Sequence, residues 1–239
     1  VKRAAILLAV TACGRIDFDA QRASDASAGG DGATTGITYV QPFVGRHIPM
    51  GANTFTDTFT GPAMQAGDAV LIHAYCYSAA PTSVAITAPG WTFTPIGFTV
   101  SNSYAAASLG AIAPNTAVTT FTVTWTAPVA CDYIDELGDE FRGVDPLSPF
   151  ESHVETGQTG TCGATISTLT ANDAVWAACT TNFVQATAAG FSKGADDGDG
   201  DWTEYRITTD PAGTVEPVTF ATTTTTAQNV MTAVTIRPL

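Results

Sequence analysis

The sequence predicts an all-β protein built as a two-sheet antiparallel β-sandwich, and three observations carry that expectation. Residues 119–126 alternate strictly, with Phe121, Val123 and Trp125 on one face and threonines on the other, the period of a half-buried strand. Ala69–Tyr77 is apolar on both faces, as a central strand covered on two sides would be. No segment of useful length has helical periodicity, and short β-like runs broken by Gly, Pro and Asn continue from Thr38 to the end of the chain.

The β region also carries an internal duplication. Gly67-Asp68-Ala69-Val70 recurs as Asn172-Asp173-Ala174-Val175, displaced by 105 residues. Gly90-Trp91 recurs as Gly190-Phe191, Tyr104 corresponds to Tyr205, and Phe141-Arg142 corresponds to Ile236-Arg237. The order of landmarks holds while loop lengths drift. Each copy supplies five or six strands. A lone copy would leave an apolar face uncovered, so the two are expected to share one sandwich of jelly-roll or Ig-like type over residues 37–239.

The N-terminus reads as an export signal. Lys2 and Arg3 precede a short apolar run from Ala4 to Ala12, the cationic and apolar parts of a signal peptide. The run is far shorter than the roughly 20 residues of a membrane-spanning helix. Val10-Thr11-Ala12-Cys13 resembles a bacterial lipobox. That resemblance implies a signal peptide over 1–12 and a lipidated Cys13, with acyl chains that anchor the protein in a membrane. Gly14, in place of Asp after the cysteine, points to the outer membrane by similarity to the enterobacterial sorting pattern. Residues 13–36 are rich in Ala, Ser, Gly and Asp. They read as a flexible tether with a root-mean-square reach of about 25 Å.

Composition narrows the function. A formal net charge of −13 offers no footprint for a phosphate backbone, which argues against nucleic acid as a partner. Cys76, Cys131, Cys162 and Cys179 remain after Cys13, an even number suited to an oxidising compartment. They lack C-x-x-C spacing, and His47, His73 and His153 stand in no ligand pattern with them. Cys76 and Cys179 share strand parity with core residues, and a turn near residues 170–172 would bring Cys162 opposite Cys179. The expected disulfides are Cys162–Cys179 and, by exclusion, Cys76–Cys131.

Two acidic stretches could carry chemistry. Residues 132–141 hold Asp132, Asp135, Glu136, Asp139 and Glu140, whereas the corresponding strand of the second copy holds none. The stretch is similar to the E-x-D-x-E strand of jelly-roll glucanases, whose paired acids hydrolyse sugars. Gly138 replaces the central acid, and Glu136 and Glu140 would stand roughly 13 Å apart along a strand unless Gly138 marks a bulge. The plainer expectation is an edge strand blunted by charge. Residues 140–151 resemble a strand-exit pattern of extracellular bacterial β-sandwich modules, which implies an adhesin-like or accessory domain.

The second stretch is residues 196–202, absent from the first copy. Asp197, Asp199 and Asp201 have the alternating spacing of an EF-hand loop. Trp202 stands at the required glycine and Thr208 at the terminal glutamate, so the expectation is a looser Ca²⁺ site on the three aspartates. No P-loop or dinucleotide motif is present. His73, between Leu71 and Tyr75, reads as structural, and Trp91, Trp176 and Trp202 as core residues or a sugar platform. The sequence points to a lipid-anchored envelope protein with a binding or structural role and away from catalysis. Its membrane contact would be the lipid, and a glycan or envelope protein its partner. A carbohydrate-active module and a calcium-stabilised adhesin are the alternatives.

Overall fold

The computed structural model describes residues 36–47, 54–77, 81–101, 104–129, 131–181, 184–223 and 228–239. The expected signal segment, Cys13 and residues 13–35 of the tether lie outside them. The first copy contributes β1 (Thr38–His47), β2 (Thr54–Ala63), β3 (Ala69–Tyr77), β4 (Ser83–Thr87), β5 (Thr94–Ser101), β6 (Tyr104–Ile112), β7 (Val118–Thr126) and β8 (Tyr133–Arg142). The second contributes β9 (Phe150–Thr159), β10 (Cys162–Ser167), β11 (Ala174–Thr180), β12 (Val184–Ala186), β13 (Ser192–Asp196), β14 (Trp202–Ile207), β15 (Val215–Thr222) and β16 (Gln228–Ile236). All pairings between these strands are antiparallel. Among the described residues no helix is long and apolar enough to cross a membrane.

The duplication is real, and each copy makes its own sandwich. In the first, the sheet β1-β8-β3-β6-β5 faces the sheet β2-β7-β4. In the second, β9-β16-β11-β14-β13 faces β10-β15-β12, the same order with every strand number raised by eight. The expected single shared sandwich is therefore corrected to two. The physical reason for it survives in altered form. Each five-stranded sheet is apolar on its outer face as well, and the two outer faces cover each other. Ala69, Leu71 and Phe141 of one copy join Ala174, Trp176 and Ile236 of the other in a third buried cluster. Each large apolar side chain buried there contributes about 1.5–3 kcal/mol.

Strand registers give the correspondence residue by residue. Ala69 pairs with Phe141 and Ile112, and Ala174 pairs with Ile236 and Ile207. Asp68 thus matches Asp173 and Arg142 matches Arg237, as the landmarks indicate. Gly90 and Gly190 match as well, at φ of 81° and 82°, and each turn is closed by the same hydrogen bond, from Trp91 N to Ala88 O or from Phe191 N to Ala188 O. Tyr104 and Tyr205 do not match: Tyr205 occupies the position of Gly110, because the strands of the β13–β14 hairpin are shorter than those of the β5–β6 hairpin.

The junction between the sandwiches has pseudo-twofold symmetry. β1 lies against β13 and β5 against β9, while β8 meets β14 and β6 meets β16. Under the correspondence each of these contacts is the mate of another, as in an isologous dimer. Tyr39 stacks on Tyr205 with ring centroids 3.9 Å apart. At the mate position Phe150 lies over Gly110, in space that a Cβ would occupy.

Both expected disulfides form, Cys76–Cys131 and Cys162–Cys179, with Cα separations of 5.5 and 6.3 Å. Their placement differs from a bond across a hairpin. β10 and β11 lie in opposite sheets, so Cys162–Cys179 ties the two layers of the second sandwich through its core. Closing this loop contributes about 3 kcal/mol in the chain-entropy account.

β8 is an interior strand between β1 and β3, correcting the expectation of a charged edge. Nor does Gly138 mark a bulge, since the β8–β3 register runs unbroken past it. Its hydrogen makes room for the Phe43 ring, whose atoms would lie 2.1 Å from an added Cβ. Gly138→Ala is expected to force that ring aside and cost about 1–3 kcal/mol, read as a lower urea midpoint. An unchanged midpoint would mean that Phe43 is free to move.

Candidate functional site

The acids of β8 alternate between two interiors. Glu136 and Glu140 point into the first sandwich, while Asp135 and Asp139 point into the junction. Asp139 is fully buried and serves the packing there. Tyr39 Oη donates to its Oδ1 at 2.9 Å and Trp176 Nε1 to its Oδ2 at 2.7 Å. Burial raises its pKa, and the donors from Tyr39, Trp176, Thr203 and the Ala195 amide oppose that rise. Glu140 accepts from Gln41 Nε2 at 2.5 Å. Nearby, Arg142 grips Asp68 through Nε and Nη2 at 3.1 and 2.8 Å.

Asp135 belongs to a different group. It is 1% exposed and lies across from Tyr75 on β3, whose hydroxyl donates to it. From the second sandwich the loop between β13 and β14 brings Asp197 and Asp201 to the same place. One oxygen from each of Asp135, Asp197 and Asp201 lies within 4.8 Å of the other two. The loop holds this shape because Asp197 Oδ1 accepts from the amides of Asp199, Gly200 and Asp201 at 2.8, 3.1 and 3.2 Å. Gly198 and Gly200 supply the positive φ values the loop needs, 83° and 100°. Asp201 is fully buried and accepts from the Thr181 amide at 2.6 Å.

Burial raises the pKa of Asp197, against the pull of those amides. Two ionised carboxylates at this spacing repel by about 3–4 kcal/mol at an effective dielectric of 20. A cation shared by the three acids would relieve that repulsion. Oxygens that all lie within 4.8 Å of one another do not exceed twice the Ca²⁺–oxygen distance of about 2.4 Å, so three hard oxygens here could share one such ion.

The three aspartates of the sequence motif thus separate. Asp197 and Asp201 converge, while Asp199 is exposed and lines an adjoining groove with Gln185, Trp202 and Thr223. The third acid is Asp135, which comes from the other copy. Only its place in an acidic strand marked it in the sequence; Tyr75 and Thr181 carried no signal at all.

The remaining candidates are structural. His73 is fully buried at the junction, with Nδ1 2.8 Å from Ser108 Oγ and Nε2 3.0 Å from Thr180 Oγ1. Burial lowers its pKa to about 3, so the ring is neutral. Trp176 is buried on Asp139, and Trp91 packs edge-on to Phe121 at 5.1 Å. Trp202 is half-buried, with Lys193 Nζ 3.6 Å from its ring centroid. The fold and the site define a disulfide-bonded tandem β-sandwich with an acidic cluster at its internal junction. Comparison with family models, curated proteins and solved structures finds no match for the chain.

Proposed function

We propose that the chain is an exported envelope protein, lipid-anchored at Cys13 in the outer membrane, whose tandem sandwich has a non-catalytic binding or structural role. The observation that carries the reading is the pair of disulfides, which belong to an oxidising compartment outside the cytoplasm. The interior placement of β8 also supports it. Glu136 and Glu140, the acids a glycosidase reading would use, are buried within the first sandwich.

The test is Cys13→Ala in a lipoprotein-exporting bacterium fed labelled palmitate. The wild-type chain is expected to take up label and fractionate with the outer membrane, and the variant to lose both. Labelling of the variant would refute the anchor.

A calcium-stabilised form of the same protein is the second reading, favoured by the meeting of Asp135, Asp197 and Asp201. A cation there would bridge the two sandwiches. Such a bridge suits an extracellular module in which Ca²⁺ sets the rigidity of a two-part body.

A further inference from the structure

We propose that the outer face of the three-stranded sheet β2-β7-β4 binds the ordered water lattice of ice. β2 and β7 pair so that threonine stands opposite threonine in consecutive rows, at Thr56 and Thr124, Thr58 and Thr122, and Thr60 and Thr120. These side chains are exposed or half-exposed, whereas Phe59, Phe121, Val123 and Trp125 between them point inward. Thr56 and Thr124 hydroxyls lie 3.3 Å apart. β4 extends the second row with Thr87, opposite Thr122.

A β-sheet repeats at about 4.8 Å between strands and about 6.7 Å between alternate residues along a strand. The prism face of hexagonal ice has two repeats close to these. Each threonine offers one hydroxyl donor and two acceptor sites, which can continue a water lattice, and a methyl group that leaves ordered water around it.

Charge favours this occupant. On a chain of formal charge −13 these outward rows hold no ionisable group, and Asp57, the one acid of β2, points inward. The face therefore matches a neutral lattice of donors and acceptors. It also holds no aromatic ring on which a sugar could stack. The fold does not require the array. On the corresponding sheet of the second copy, Thr165 stands opposite Pro217 and Gly163 opposite Thr219.

The experiment is partition of the purified full chain into slowly growing ice, alongside a non-binding control protein. The wild type is expected to concentrate in the ice. Thr122→Lys and Thr58→Lys, each in the middle of the array, are expected to fall to the control level with unchanged melting temperatures. Thr219→Lys, on the corresponding sheet, is expected to behave as wild type. Exclusion of the wild type from ice would overturn the proposal, as would ice entry by a folded Thr122→Lys or Thr58→Lys chain. Binding to crystalline cellulose or chitin without binding to ice would overturn it too, and would assign the array to a polysaccharide lattice. None of these outcomes depends on the lipid anchor.

Discussion

Raising the pH from 5 to 9 is expected to lower the unfolding free energy of this protein by several kcal/mol, and Glu136→Gln is expected to remove much of that slope. Glu136 lies inside the first sandwich at 1% exposure, and both of its carboxyl oxygens are buried without a hydrogen-bond partner. Burial first, then Asp57 from the facing sheet and Asp135 beside it, push its pKa from 4.5 up to about 9. The folded protein therefore keeps the proton that the unfolded chain releases near 4.5. The stabilisation is complete below that pH and is lost as the pH rises toward 9. The full span corresponds to at most about 6 kcal/mol.

The second copy shows what the position tolerates. Ala74 pairs with Glu136, and Cys179 pairs with Met231 in the matching register, so Met231 is the mate of Glu136. Glu136→Met is expected to raise the urea midpoint at pH 8 and to leave it almost unchanged at pH 4. Equal midpoints for wild type and Glu136→Met at pH 8 would sink this account. On the acid side His73 acts in the opposite sense. Its neutral ring must take up a proton on unfolding, so its contribution is whole above about 6.5 and falls as the pH drops toward 3. The two groups together place maximum stability in mildly acidic solution.

The two copies explain what could and could not be seen in the chain alone. Strand identity was legible because Phe121, Val123 and Trp125 alternate with threonine, and the disulfides were legible because strand parity put Cys76 and Cys179 inward. Strand order was not. β8 sits between β1 and β3 through pairings of distant residues such as Thr38 with Arg142, and nothing local in an acidic strand distinguishes an edge from an interior position. Its acids became tolerable inside because the junction supplies donors such as the Trp176 indole to Asp139, from a part of the chain that no local pattern connects to it. The two-faced apolar run Ala69–Tyr77 did show that β3 is covered on both sides. It could not show that Leu71 and Tyr75 are covered by the other copy. The candidate site suffered most from this limit, since it needs Asp135 from one copy beside Asp197 and Asp201 from the other.

That geometry sharpens the calcium reading into a test that separates neighbouring aspartates. An ion bound only by the folded state stabilises it by RT ln(1 + [L]/Kd), about 2.7 kcal/mol at a hundredfold excess over Kd. For a domain of this size roughly 2–4 °C of melting temperature accompany each kcal/mol. Millimolar Ca²⁺ is therefore expected to raise the melting temperature by about 5–10 °C. Asp135→Asn is expected to abolish most of that rise, although it lies on a strand of the first copy and far from the loop in sequence. Asp199→Ala is expected to keep the rise, because that carboxylate is exposed and outside the converging group. Mg²⁺, which demands shorter bonds of about 2.0–2.1 Å and surrenders its waters reluctantly, is expected to do much less. A rise that survives Asp135→Asn but vanishes with Asp199→Ala would return the ion to the exposed loop. The absence of any Ca²⁺ effect would mean that the three acids share no such ion.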